Sequence, residues 1–159
     1  MDGSLIDILM IVSALAFYIF LIVVFILRAH GLDNLELRLV YPFSALLIPF
    51  TALWIINLIN GADLGRLIAS APIVGFLVYD LWYRALTKKK PIHHPERWPI
   101  GLIVYLLLLQ IGSIGVNWYA YLVSKFYGNL VLIGYFLFIG AFGYYQYRYN
   151  KRKKISSGS

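Results

Sequence analysis

The stretch that decides the fold is 8-ILMIVSALAFYIFLIVVFIL-27, twenty residues without a charge. A hydrocarbon core of about 30 Å takes roughly 20 helical residues to cross. No water in that core can satisfy backbone N–H and C=O groups, so a spanning segment must pair them internally. A membrane β-strand would instead alternate apolar and polar residues over about 10 positions. This run is continuous, so it predicts a transmembrane helix. Asp2 and Asp7 precede it, with no Lys or Arg, whereas a secretory signal opens on positive charge. The run therefore reads as a retained span.

Four more apolar runs follow, over 39–59, 67–83, 100–123 and 130–147. The composition agrees. The chain has 159 residues, 61% hydrophobic and 13% charged, against about 45–50% and about 25% in soluble domains. That is too little polar surface for a water-soluble globule or a nucleic-acid module, even with a net charge of +7. The expected fold class is all-α: one domain over 1–154, a polytopic bundle of five transmembrane helices, then a flexible tail at 155–159. No internal repeat is visible, and no loop is long enough for a second domain.

Basic residues set the expected orientation. Arg28 and Arg38 follow the first span, Arg84 to Arg97 follow the third, and Arg148 to Lys154 follow the fifth, so twelve of the fourteen lie on one side. Only Arg66 and Lys125 fall opposite. The basic side of short loops is cytoplasmic, which puts the N-terminus outside, the C-terminus inside and the protein in the cell membrane. Aromatic belts fit this placement, with Trp82, Tyr83, Trp98 and Tyr144 toward the inner ends and Trp54, Trp118 and Tyr121 toward the outer. Tyr144-Tyr145-Gln146-Tyr147-Arg148-Tyr149 is denser than anchoring needs and suggests contact with a neighbour. The outer turns are expected at Asn60–Asp63 and Ser124–Asn129, with Gly128-Asn129 suited to positive φ.

Five groups of residues are candidates for function. Gln110, Ser113 and Asn117 fall at helical spacing on one stripe of the fourth span, facing protein or water rather than lipid. They read either as interhelical hydrogen bonds or as the wall of a polar path. Asp80 is an acid inside the third span, four residues before Arg84. It reads first as an ion pair that sets helix depth, and otherwise as a proton or cation site. Pro49 and Pro72 should kink the second and third spans, while Pro42 belongs to a first turn that tolerates it. Ser44 or Thr51 could answer the carbonyl freed by Pro49. The kinks could open an outward cleft rimmed by Asn57, Asn60, Asp63 and Arg66. In the cytoplasmic loop, His93, His94, Glu96 and Arg97 follow Lys88, Lys89 and Lys90. With Lys151, Arg152, Lys153 and Lys154, these lysines form a surface for anionic lipid headgroups.

The chain has no Cys, no His within a span and no phosphate-loop, zincin or nucleophile-elbow motif. No metal, haem or iron–sulfur cofactor is expected. The first reading of function is a transporter or channel component, or an accessory subunit of a membrane complex. One alternative is an enzyme acting on a lipid or prenyl substrate at the cytoplasmic face, through the loop histidines, Glu96 and Asp80. Another is a protein that binds a lipid or other hydrophobic ligand. Expected partners are membrane lipids and either further copies of the chain or a larger complex, without nucleic acid.

Overall fold

The computed structural model describes residues 5–82 and 100–157. Six helices account for nearly all of them: α1 Leu5–His30, α2 Asp33–Ala45, α3 Leu47–Ile59, α4 Leu64–Asp80, α5 Ile100–Val123 and α6 Lys125–Ser157. No strand occurs among the described residues. Among the described residues, four stretches are long and apolar enough to cross a membrane: Leu5–His30, Asn34–Ile59, Ile103–Val123 and Lys125–Arg152. The second of these joins α2 to α3. Helix α4 has 17 residues.

Glycine ends two of the helices. Gly31 (φ 72°) and Gly61 (φ 64°) take the left-handed conformation, which costs a glycine little. After α1, Leu32 N donates to Leu27 O and Gly31 N to Arg28 O; after α3, Ala62 N donates to Asn57 O and Gly61 N to Leu58 O. Both are the paired bonds of a Schellman stop. Asp63 then caps α4, its Oδ2 accepting from Gly65 N at 3.0 Å. The Asn60–Asp63 turn is thus built as the sequence suggests.

The second hairpin is tighter than expected. Only Ser124 separates α5 from α6, and its Oγ accepts from Tyr127 N at 3.2 Å. Gly128 lies inside α6 rather than in a turn, beneath the ring of Tyr121. A hydroxyl cap replaces the glycine turn. Helix α6 also continues through Ser157, where the sequence suggests a flexible tail from Ile155. Its 33 residues make a rod of about 50 Å, longer than the hydrocarbon core is thick.

Helix α2 starts at Asp33, ahead of the expected 39, because Glu36 is drawn into the bundle rather than left outside. Pro42 therefore sits inside α2, not in a first turn. The break at Leu46 falls where Pro49 lacks the N–H that would reach Ala45 O. The Ser44 and Thr51 hydroxyls are buried without a hydrogen bond, so neither answers that carbonyl.

The core is aromatic. The Phe17 ring lies 5.7 Å from Phe43, 6.4 Å from Phe50 and 5.9 Å from Phe76, filling the space between α1, α2, α3 and α4. Phe25 packs on Phe138, Phe142 and Tyr145 of α6. Helices α4 and α5 approach closely where α5 has no side chain: a Cβ on Gly112 would stand 3.2 Å from Ile73 Cα, and one on Gly115 would collide with Ala69 O. Small residues at helix contacts are the usual device for close packing in lipid, where apolar burial drives nothing.

Candidate functional site

Polar side chains gather at three levels of the bundle. At the level where α1 and α4 begin and α3 and α5 end, Arg66 Nη1 donates to Asp7 Oδ1 at 2.9 Å and to Oδ2 at 3.2 Å. Tyr119 OH donates to the same Oδ1 at 2.9 Å, and Asn57 Nδ2 donates to Tyr119 OH at 3.2 Å. One carboxylate, 3% exposed, thereby joins four helices. The partners are what a buried charge requires: an opposite charge plus donors for its remaining lone pairs. Trp54 Nε1 adds a bond to Leu67 O at 3.2 Å.

Midway along the bundle, the stripe on α5 meets two tyrosines. Tyr18 OH donates to Ser113 O at 3.1 Å. Asn117 Nδ2 donates to Tyr18 OH at 2.7 Å and to Ser113 O at 2.9 Å. Tyr135 OH donates to Gln110 Oε1 at 3.2 Å. Helices α1, α5 and α6 are thus tied at one depth, and the Tyr18 ring stacks on Phe138 at 6.3 Å. Ser113 Oγ and Asn117 Oδ1 are buried and make no hydrogen bond.

At the opposite end, Arg28 Nε and Nη2 donate to Glu36 Oε1 at 2.9 and 2.5 Å. The Arg28 guanidinium also stands 5.1 Å above the Phe25 ring. Glu36 is fully buried. Arg152 Nη2 donates to Ala29 O, one of the carbonyls left open where α1 ends. The α1–α2 corner and the basic end of α6 are therefore locked together.

The candidates named from sequence divide accordingly. Gln110, Ser113 and Asn117 do share a face, and their partners are on α1 and α6. Of the proposed cleft rim, Asn57 and Arg66 turn inward onto Tyr119 and Asp7, while Asn60 and Asp63 stay exposed in the turn. Asp80 is fully buried on α4; Arg84 lies outside the described residues. So do Lys88, Lys89, Lys90, His93, His94, Glu96 and Arg97. Lys151 is exposed, and Lys153 and Lys154 lie on the last turns of α6. Among the described residues, no three His, Asp or Glu side chains gather as a metal site would need.

Sequence reasoning missed Asp7, Tyr18, Glu36, Tyr119 and Tyr135. Asp7 and Glu36 stand beside apolar runs, where a charge reads as a boundary, and Tyr18, Tyr119 and Tyr135 lie within such runs, where a tyrosine reads as core or anchor. Asp7 and Arg66 did carry one hint: opposite charges, each about a turn inside the same end of the bundle. No family model matches the chain, and neither a curated protein nor a solved structure is similar to it at a significant level.

Proposed function

We propose that this protein is a non-catalytic, accessory subunit of a membrane complex, a bundle of five transmembrane helices in the cell membrane. In this reading the N-terminus is outside and the C-terminus cytoplasmic. The crossing added to the four longer stretches is α4, the third in chain order. It lies against α5 from the Ala69–Gly115 contact to the Phe76–Tyr105 ring pair at 5.2 Å. The orientation is supported by charge: Arg28, Arg38, Arg148, Lys151 and Arg152 share one end, against Arg66 and Lys125 at the other.

The observation that carries the accessory role is where the polar stripe is spent. The Gln110 and Asn117 side chains and the Ser113 backbone carbonyl bond to Tyr135 and Tyr18 across helix contacts, and the rings of Tyr18, Tyr135 and Phe138 pack together beside them. A translocation path needs polar groups facing open space. A scaffold needs a rigid bundle with a broad apolar exterior, and Phe126, Ile133 and Tyr147 of α6 are 71%, 58% and 64% exposed. Extraction of the protein from its own membrane with a mild detergent, followed by native mass spectrometry, tests this. Co-release with other membrane proteins is expected, and its loss in Tyr147→Ala; a chain that always emerges alone overturns the reading.

Transport is the second reading, favoured by the buried and unbonded Ser113 Oγ and Asn117 Oδ1. Orphaned buried acceptors call for an explanation, and a transient polar cargo supplies one. Under that reading Asn117→Leu abolishes flux in reconstituted vesicles while the protein still folds. Unchanged flux removes it.

A further inference from the structure

An apolar groove of about 480 Å³ runs between α1 and α6, lined by Ile22, Ile26, Phe136, Leu137, Gly140 and Tyr144. It exists because α6 has no side chain at Gly140, where an added Cβ would meet nothing within 4 Å. The groove points toward the basic end of the bundle. Arg148 lies one helical turn past Tyr144, and Lys151 a further turn on, both on the groove's side of α6. Arg148 Nε is buried and makes no hydrogen bond. Arg152 is the next cation, and α6 contains no acid. His30 stands at the same mouth, its ring 6.2 Å from Tyr144.

We propose that this groove is a binding site for one anionic phospholipid, with an acyl chain between Ile26 and Gly140 and the phosphate against Arg148 and Lys151. The occupant follows from the two ends of the site. The groove wall is hydrocarbon and opens toward the bilayer, which suits an acyl chain. The mouth is positive without a neutralising acid on α6, which suits a phosphate. Each Lys or Arg near an anionic headgroup adds about 1 kcal/mol, so two of them correspond to roughly a thirtyfold preference over a zwitterionic lipid. The groove lies on the same face of α6 as Ile133 and Tyr147, but its test uses the purified chain and does not depend on any partner protein.

The test uses the purified full chain in detergent, titrated with phosphatidylglycerol or phosphatidylcholine and read by native mass spectrometry. The wild type should bind one phosphatidylglycerol at least about tenfold tighter than phosphatidylcholine. Arg148→Gln with Lys151→Gln should collapse that preference, and Gly140→Leu should weaken both lipids by filling the groove. Because position 140 faces open space, Gly140→Leu should keep the wild-type unfolding temperature without added lipid. Equal binding of the two lipids by the wild type overturns the proposal, as does a preference that survives the double charge change. So does unaltered lipid binding in folded Gly140→Leu, or a dimer that this substitution splits, since a second copy would then fill the groove.

Discussion

The Asp7 carboxylate accepts from Arg66 and Tyr119 at once, so its removal acts on more than one contact. Breaking a buried ion pair costs about 3–5 kcal/mol, because a charge is left uncompensated. The Arg66 side chain is 26% exposed and retains some water, which brings the expected cost of Asp7→Asn to about 2 kcal/mol. Chemical unfolding in micelles should show this, and Asp7→Asn/Arg66→Gln should be no worse than either single change. Additive losses would mean that the two side chains act independently. Tyr18→Phe is milder, about 1 kcal/mol, since interhelical hydrogen bonds in lipid average about 0.6 kcal/mol and reach about 1.7. At this scale the sequence is least legible. The helical spacing of Gln110, Ser113 and Asn117 puts them on one face, but nothing in their order names Tyr18 and Tyr135 as partners. Glu36 is hidden for a similar reason: a charge beside an apolar run reads as its boundary until Arg28 is placed opposite.

Among the elements, the contact between α4 and α5 depends on missing side chains. Gly115→Ala sets a methyl against the Ala69 carbonyl and should cost about 1–3 kcal/mol, as overpacking does. Gly140→Ala meets nothing and should leave the unfolding transition where it is. Equal effects at the two positions would contradict the close α4–α5 approach. Helix existence is well legible here, since unbroken apolar length alone predicts α1 and α5; the 100–123 run matches α5 end to end. The ends are less so. Charges at Glu36 and Arg38 disguise the start of α2, and Ser124 replaces a six-residue turn with one capping hydroxyl. Pro49 is informative in the simplest way: the break at Leu46 falls where its missing N–H predicts.

For the whole molecule, two polar ends of unequal charge enclose an aromatic core. The chain has no cysteine, so single introduced thiols report topology without background. Asp63→Cys, in the exposed turn before α4, should react with an impermeant maleimide on intact cells, and Lys151→Cys only after permeabilisation. The reverse pattern would invert the orientation. Apolar length makes the membrane class legible from sequence, and loop charge gives its proposed direction, but no residue pattern announces a role, because Asp7, Arg66, Tyr18, Gln110 and Arg28 bond to other side chains of the bundle or its backbone. The most direct measurement is native mass spectrometry of the protein released gently from its own membrane. We expect the chain in a defined complex with other membrane proteins, at fixed stoichiometry. A chain released only by itself, as monomer or homo-oligomer, would contradict the accessory role.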